Sequence, residues 1–254
     1  MPLYALLVEY DGTPFVGWQR QENGLSVQQV IEEAAAPLNG DTVPTAGAAG
    51  RTDAGVHAEG QVVGLPVRAD LPPDRLREAL NARSRPHPVS VVAAARAPEG
   101  WSARFSATGR AYRYRISNRR ARPALEAGRV WHVPQRLDAA AMHAAAQGLL
   151  GHHDFSAYRA STCQARDALR TLDRLDVSRL GDTIEVTVEA RSFLHHQVRN
   201  MVGTLVQVGL GRRPVSWPRA VLESGDRSRA GQTAPAEGLF FTAVRYDPPI
   251  AWAS

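Results

Sequence analysis

Residues 47–57, GAAGRTDAGVH, bring four chemically capable side chains together in a stretch of very small residues. Asp53 has the strongest chemistry, because an aspartate with the reference pKa of about 3.9 is ionised at neutral pH and can act as a nucleophile or a base. The surrounding glycines would let the backbone turn tightly and let another molecule approach closely. An ordinary turn has the same composition, so the rest of the chain must decide between a reactive loop and a turn.

A second stretch, SARFSATGRAYRYRISNRRAR, combines arginines with aromatic residues and contains no carboxylate. It spans residues 102–122, and its arginines are Arg104, Arg110, Arg113, Arg115, Arg119, Arg120 and Arg122. In a strand, the alternation from Tyr112 to Arg115 places tyrosines on one face and arginines on the other. A tyrosine can stack on a nucleobase, which is worth on the order of 1 to 3 kcal/mol, while clustered arginines bind phosphates. We therefore predict that Arg110, Arg113 and Arg115 bind nucleic acid; a solvated edge strand with its tyrosines in the core would show the same pattern.

A carboxylate that works beside a polyanion needs a cation to stabilise it, and Arg199 is the candidate. Periodic apolar residues predict a helix in this region, with its apolar stripe formed by Leu194, Val198, Met201, Val202 and Leu205. Arg199 and His195 are four residues apart on that predicted helix, on a different face from the stripe. The residues alone thus suggest one carboxylate, one arginine, one stacking tyrosine and a basic surface of a size that suits RNA.

The composition excludes several classes of protein. The 254 residues are 44% hydrophobic and 22% charged, which is ordinary for a globular protein, and the formal net charge is +5. All 30 basic residues are arginine, so a Schiff-base lysine, a pyridoxal-phosphate lysine and a Walker lysine are excluded. The single cysteine, Cys163, cannot form an internal disulfide and rules out cysteine-based zinc or iron–sulfur clusters.

The sequence predicts neither a metal site nor a membrane segment. The pairs His152-His153 and His195-His196 lack further ligands at a recognisable spacing, so we interpret them as packing or hydrogen-bonding residues. No apolar run approaches the roughly 18 residues of a membrane span, and the first residues lack the basic flank of a signal peptide. We therefore expect a cytoplasmic protein that makes no membrane contact.

Hydrophobic periodicity predicts the same order of elements, β-α-β-β-α-β, in each half of the chain. In the first half, the predicted strands are residues 3–10, 43–48, 63–67 and 89–94, and the predicted helices begin after the N-cap Ser26 and near Pro73. In the second half, the predicted strands are residues 112–116, 172–177, 184–190 and 240–246, and the predicted helices follow the N-cap Asp138 and cover residues 194–205. Three segments interrupt this order and are interpreted as surface excursions: residues 117–136, 152–170 and 209–238.

This repeated order predicts an α+β fold made of two ferredoxin-like units, whose mainly antiparallel sheets meet at a central catalytic cleft. The predicted N-terminal domain, residues 1–105, carries the aspartate loop. The predicted C-terminal domain, residues 106–254, carries the basic strand and the Arg199 helix.

Five stretches of the chain together resemble the tRNA pseudouridine synthase A family. They are EYDGTPFVGWQRQ at 9–21, GRTDAGVHA at 50–58, ARFSATGRAYRYRI at 103–116, FLHHQVRNMVG at 193–203 and AEGLFF at 236–241. They occur in the family's order through nearly the whole chain, whereas GRTD alone would be a weak signal.

The resemblance implies an activity and a set of roles. It implies isomerisation of uridine to pseudouridine at positions 38, 39 and 40 of the tRNA anticodon stem-loop, by a homodimer without cofactor or metal. By the same resemblance, Asp53 is the nucleophile, Arg51 takes part in flipping the target base, and Tyr112 stacks on the flipped uracil. Arg199 would pair with the aspartate, and Leu239 would form the apolar floor of the pocket.

Several points stay open at the level of sequence. The carboxylate could add to C6 of the base, attack C1′ or remove a sugar proton, and Tyr112 is a candidate to take the final C5 proton. A non-catalytic RNA-binding module and an aspartate-dependent hydrolase are the alternative functions. The family commonly has a leucine and a proline after Asn81, whereas this chain has ARSRP at 82–86, which puts the packing of the second helix in question and adds Arg83 and Arg85.

Overall fold

The computed structural model describes residues 1–253, which form a mixed α+β protein with mainly antiparallel strands. Its α-helices are α1 (Val27–Ala35), α2 (Pro73–Arg83), α3 (Ala139–Gln147), α4 (Gln197–Gly209) and α5 (Trp217–Ser224). Its strands are β1 (Leu3–Tyr10), β2 (Gly47–Ala48), β3 (His57–Pro66), β4 (Val89–Arg96), β5 (Ala107–Ser117), β6 (Trp131–His132), β7 (Gly151–Asp154), β8 (Leu169–Leu180), β9 (Thr183–Ala190) and β10 (Leu239–Tyr246). The chain divides into two compact units: unit 1 comprises Met1–Thr108 and the chain from Phe240 onward, and unit 2 comprises Gly109–Leu239.

Unit 1 is organised around β1, which lies between β3 and β4 and is antiparallel to both. β3 pairs with the short β2 in antiparallel orientation near its end and with β10 in parallel orientation near its start. Helix α1 begins where the sequence predicts, because the Ser26 hydroxyl accepts a hydrogen bond from the Gln29 amide at 3.2 Å. The largest buried side chains of this unit include Tyr4, Leu6, Leu65, Leu76 and Leu80.

Unit 2 contains the strand order β5-β9-β8-β7, with each neighbouring pair antiparallel, and β6 lies parallel to β5. The predicted alternation in β9 is confirmed, because Ile184, Val186 and Val188 are all fully buried. Helix α3 packs on β8 and on α4, and its N-cap is Asp138, whose carboxylate accepts from the Ala141 amide at 2.9 Å. The chain therefore buries the faces that its periodicity predicts.

The predicted strand at residues 43–48 is wrong for most of its length, since only Gly47 and Ala48 pair with β3. Pro44 has no amide proton for a strand ladder. The Ala46 amide instead donates to a carboxylate oxygen of Glu32 in α1 at 2.9 Å. A side chain of the neighbouring helix thus replaces the strand partner that the pattern suggested.

The predicted helix over residues 194–205 begins three residues late, at Gln197. His196 adopts a left-handed backbone conformation with φ of 61°, which interrupts any helix that runs through it. The Gln197 side chain accepts from the Leu194 amide at 2.8 Å, closing the turn before the helix. His195 therefore lies outside the helix, and its predicted i, i+4 pairing with Arg199 on a helical face is wrong.

All three predicted surface excursions contribute to the core, and residues 117–136 do so through Val130 and Val133, which are 3% and 5% exposed. Residues 209–238 contain α5, whose Val221 and Leu222 are buried, and residues 152–170 contain Phe155 and Tyr158, which are fully buried. The excursion prediction is wrong for these parts. In the case of α5, a helix of two turns is too short to show clear periodicity among charged residues.

The departure at residues 82–86 leaves the packing of α2 intact. The Asn81 side chain donates to the Val91 carbonyl at 2.9 Å and accepts from the Val91 amide at 2.7 Å, which fixes the end of α2 to β4. Arg83 and Arg85 are exposed. Within residues 1–253, no helix combines the length and the apolar character that crossing a membrane requires.

Candidate active site

The segment that carries Asp53 lies between β2 and β3 and is held by very close backbone contacts from residues 9–21. A side chain at Gly12 would place its Cβ 2.0 Å from the Val56 carbonyl oxygen, so only glycine fits there. Gly17 has φ of +110°, and a Cβ at that position would lie 2.7 Å from the Thr52 carbonyl oxygen. The motifs EYDGTPFVGWQRQ and GRTDAGVHA, separate in sequence, therefore form one packed structure in unit 1.

Hydrogen bonds fix the backbone of this loop on both sides of Asp53. The Trp18 amide donates to the Thr52 carbonyl at 3.0 Å, and Gly17 and Asp53 form an isolated antiparallel bridge. The Val56 amide donates to the Asp53 carbonyl at 3.2 Å. Asp53 thus sits in a short turn with a defined backbone, and its side chain is half-buried while that of Arg51 is exposed.

A buried polar cluster lies under the loop. The hydroxyls of Tyr10 and Thr52 share a hydrogen bond at 2.8 Å, and the Gln61 side chain donates to the Gly50 carbonyl at 2.7 Å. Burial raises the pKa of Tyr10 to about 12, against the smaller opposing effect of its hydrogen bonds to Thr52 and Gln61. Tyr10 is therefore a neutral phenol at physiological pH.

The end of the loop is anchored by His57, which is 2% exposed. Its Nδ1 accepts a hydrogen bond from the Gly12 amide at 3.0 Å. Its ring stacks on Phe240 with centroids 4.7 Å apart. Phe240 belongs to the fifth motif, AEGLFF, so three of the five motifs contribute to the surroundings of the Asp53 loop.

In unit 2, the two tyrosines of β5 have different environments. Tyr112 is half-buried and contacts Phe193 edge-to-face, with centroids 5.2 Å apart. Tyr114 is fully buried, and its hydroxyl donates to the Pro235 carbonyl at 2.7 Å. Burial raises the pKa of Tyr114 well above its usual value, against the opposing effect of the Arg199 charge. Of the two, only Tyr112 is partly exposed.

The arginines of β5 face acidic residues that the local sequence does not reveal. Arg113 and Arg115 both lie near Glu185 of β9, at 3.8 and 3.7 Å, and Arg115 also contacts Glu126 at 2.5 Å. Register explains the contact between Arg115 and Glu185, since these two residues lie directly opposite each other. The stretch without carboxylates is therefore partly neutralised by residues distant in sequence. Arg110 donates to the Arg191 carbonyl at 2.6 Å.

Arg199 lies in the first turn of α4 and is half-buried. Its Nε donates to the Ala234 carbonyl at 2.8 Å, while its own carbonyl accepts from the Ala234 amide at 3.1 Å. This two-way contact fixes the stem of the side chain against residues 234–235. Leu239, which starts β10, is 5% exposed.

The structure thus places Arg51 and Asp53 on one loop of unit 1, and Tyr112 and the three arginines on one strand of unit 2. Sequence reasoning missed Gln61 and Glu185. Gln61 could have been noticed as a lone polar residue in an apolar strand, whereas Glu185 shows its relevance only through strand register. The histidine pair at 152–153 is engaged in hydrogen bonds, with His152 bonded to Thr171 at 3.0 Å and His153 to the Leu150 carbonyl at 2.7 Å.

Comparison with known proteins identifies the family to which the chain belongs. The sequence profile described as tRNA pseudouridine synthase matches residues 6–106 and 145–247. The chain belongs to the tRNA pseudouridine synthase family, which confirms the resemblance seen in the five motifs.

Three relatives, each named tRNA pseudouridine synthase A, match the chain over essentially their whole length. The protein from Acidiphilium cryptum is 61% identical over 248 residues, covering 97% of each chain. The one from Paramagnetospirillum magneticum is 59% identical, covering 97% of this chain and 96% of the relative. The one from Maricaulis maris is 51% identical, covering 98% of this chain and 100% of the relative.

Proposed function

We propose that this protein isomerises uridine to pseudouridine in tRNA, at positions 38, 39 and 40 of the anticodon stem-loop. The observation that carries the proposal is the full-length match to tRNA pseudouridine synthases, with an aspartate on a rigidly held, accessible loop. This function needs one ionised carboxylate and no redox chemistry. We expect activity without added cofactor or metal.

The reaction requires that uracil detaches from C1′, rotates and rejoins through C5. The base must leave the stack first, which costs a few kcal/mol, and stacking on a protein ring offsets that cost. Asp53 acts as the nucleophile in this proposal, with its loop held so that the carboxylate keeps one direction while the base turns.

The other residues have supporting roles in the proposal. Arg51, exposed beside Asp53, takes part in flipping the target base. Tyr112, which is half-buried, stacks the face of its ring on the flipped uracil, and Leu239 forms the apolar floor of the pocket. Arg199 stabilises the Asp53 carboxylate during the reaction, and its stem is already fixed by Ala234.

Arg110, Arg113 and Arg115 bind the tRNA backbone in this proposal. Glu185 and Glu126 lie close to two of them, so phosphates must compete with carboxylates for the same guanidinium groups. Such binding is weaker than the count of arginines suggests and depends on salt.

We also propose that the chain contains two ferredoxin-like units, as the repeated β-α-β-β-α-β order suggests. Unit 1 supports a ferredoxin-like arrangement, since its strands follow the order β4-β1-β3-β2 with antiparallel neighbours. In unit 2, β5, β9 and β8 are adjacent and antiparallel in the same manner. Functional domains at residues 1–105 and 106–254, a homodimer and a cytoplasmic location complete the proposal.

The test is to incubate the purified protein with unmodified tRNA, without cofactor and with a chelator, and to map pseudouridine in the anticodon arm. Wild-type protein should form pseudouridine at positions 38 to 40. Asp53→Asn keeps the shape and removes the charge, so turnover should fall at least about 1,000-fold while tRNA affinity is kept.

Two outcomes would contradict the proposal. Wild-type activity equal to that of Asp53→Asn would remove the nucleophile from the mechanism. Binding of tRNA without any pseudouridine formation would favour a non-catalytic RNA-binding protein. The proposed pairing of Arg199 with Asp53 is tested by a double-mutant cycle that combines a substitution of Arg199 with Asp53→Asn. The effects of the two substitutions on turnover should be strongly non-additive.

A further inference from the structure

Three polar side chains lie buried beneath the segment of unit 1 that carries Asp53. Tyr10 is 4% exposed, Thr52 is 7% exposed and Gln61 is fully buried. They come from β1, from the loop itself and from β3. Buried polar groups at one point need an explanation, because each gives up hydration that only a good hydrogen bond restores.

Their hydrogen bonds converge on the two residues that flank Arg51. Gln61 donates to the carbonyl of Gly50 at 2.7 Å, on one side. Tyr10 bonds the hydroxyl of Thr52 at 2.8 Å, on the other side. Gly50 is therefore held through its carbonyl and Thr52 through its side chain, on the two sides of Arg51 and directly before Asp53.

Gln61 is poorly suited to a purely structural role. Its Oε1 is buried and has no hydrogen-bond partner within residues 1–253, so the amide leaves one polar atom unsatisfied. An apolar side chain of similar length would avoid that cost. The hydrogen bonds of Gln61 to Gly50 and to Tyr10 are the contacts that the amide supplies and an apolar residue would not.

We infer that Tyr10, Thr52 and Gln61 are positioning residues that fix the backbone of residues 50–52 and thereby the direction of the Asp53 carboxylate. The inference rests on the proposed function, since positioning matters only if Asp53 reacts. A loop this rich in glycine gains its stiffness from such external bonds. Reactions that depend on a held geometry lose rate steeply when the group is displaced.

The test compares Tyr10→Phe, Thr52→Val and Gln61→Met with wild type in single-turnover pseudouridine formation and in tRNA binding. Each change keeps the side chain's approximate size and removes the hydrogen bond. We expect the rate at saturating tRNA to fall roughly 10- to 100-fold, with the Kd for tRNA unchanged within about two-fold. Thr52→Ser keeps the hydroxyl and should restore most of the rate.

Two comparisons separate positioning from general destabilisation. Tyr4→Phe is the matched control, because Tyr4 is a fully buried tyrosine on the same strand whose hydroxyl bonds the Leu71 carbonyl at 2.8 Å, away from the loop. It should lower the Tm by an amount similar to Tyr10→Phe and leave the rate unchanged. The double variant Tyr10→Phe/Thr52→Val should be no slower than the slower single variant, because both changes remove one shared bond.

Full activity in Tyr10→Phe and Gln61→Met would overturn the inference. Equal losses in Thr52→Val and Thr52→Ser would also overturn it, since the hydroxyl would then be irrelevant, and this comparison stands even if another variant does not fold. An inactive wild-type protein would instead refute the proposed function, so the two failures are distinguishable.

Discussion

The Asp53 loop of unit 1 and the β5 strand of unit 2 are held by two different kinds of contact. The loop is fixed by backbone hydrogen bonds, by neutral buried side chains and by close approach at Gly12 and Gly17. Arg113 and Arg115 of β5 are held by ion pairs with Glu185 and Glu126, in which every side chain is at least 22% exposed.

This difference matters for what each region can do. Neutral, buried bonds are insensitive to salt and keep one geometry, which suits the role proposed for Asp53. Exposed ion pairs are weak and screened, so a phosphate can replace the carboxylate at small cost. The Asp53 loop of unit 1 thus has a fixed geometry, whereas Arg113 and Arg115 of unit 2 can exchange a carboxylate partner for a phosphate.

The largest expected effect comes from breaking the close approach in unit 1. Gly12→Ala would place a Cβ 2.0 Å from the Val56 carbonyl oxygen, and neither backbone can yield without moving the loop. We expect the free energy of unfolding to fall by about 3 kcal/mol and turnover to fall about 100-fold or more. Urea denaturation and single-turnover assays measure the two effects.

Gly47→Ala is the control for that substitution. Gly47 lies in β2 of the same unit, where a Cβ would meet no atom within 4 Å. It should leave both quantities close to wild type. If Gly12→Ala behaved like Gly47→Ala, the loop would be far more adaptable than its contacts indicate, and the contrast with β5 would not hold.

The second effect concerns the buried tyrosines, and it appears only at alkaline pH. Burial raises the pKa of Tyr10 from 10.0 to about 12 and also raises those of Tyr114 and Tyr158. Below pH 10 the phenols keep their protons in both the folded and the unfolded chain, so their ionisation takes nothing from the free energy of unfolding. Between about pH 10 and 12 the unfolded chain ionises first, and Tyr10 alone should account for a loss of about 3 kcal/mol.

The measurement is the free energy of unfolding from pH 8 to pH 12. Tyr10→Phe should flatten part of the alkaline decline, and Tyr114→Phe should flatten a separate part that belongs to unit 2. An unchanged pH profile in Tyr10→Phe would mean that the phenol ionises as easily in the folded protein as in the unfolded one.

Helix caps and hydrophobic periodicity in the sequence predict most elements of this fold, because the contacts that form these elements join residues close together in the chain. Ser26 and Asp138 cap helices through bonds to amides three residues away, and Ile184, Val186 and Val188 alternate on one strand. The start of α4 could not be predicted, because the left-handed residue His196 departs from what its type favours. The missing strand before Gly47 likewise depends on Glu32 of a neighbouring helix.

The candidate site also has features that the sequence predicts and features that it does not. The loop with Asp53 could be singled out from its motif, because glycine at fixed positions records close contacts directly in the sequence. Its support by Gln61 and the neutralisation of Arg115 by Glu185 depend on strand register. Register couples residues that are distant along the chain, so no local pattern reports it.

A smaller effect should follow from removing the acid that faces the arginines of β5. In Glu185→Gln, the guanidinium groups of Arg113 and Arg115 lose a nearby carboxylate. Because exposed pairs are worth up to about 1 kcal/mol, the affinity for tRNA should rise up to about five-fold and depend more steeply on salt. Filter binding at several salt concentrations measures both quantities.

The control is Glu223→Gln, which changes the net charge equally but removes a carboxylate paired with Arg219 on α5 at 2.7 Å. It should leave tRNA affinity nearly unchanged. An equal gain in both variants would show that total charge, rather than the charge on β5, governs binding.

The smallest effect is the difference in cost between removing one helix cap in unit 1 and removing one in unit 2. The Ser26 cap of α1 is fully buried, whereas the Asp138 cap of α3 is exposed. Water can replace the lost bond at an exposed cap but not at a buried one, so Ser26→Ala should cost about 1.5 kcal/mol and Asp138→Ala about 0.5 to 1 kcal/mol. Urea denaturation measures both costs, and Ser26→Thr and Asp138→Asn, which keep an acceptor, should recover most of each. A larger cost for Asp138→Ala would show that its charge at the helix N-terminus outweighs burial, and that electrostatics stabilise unit 2 even where its side chains face solvent.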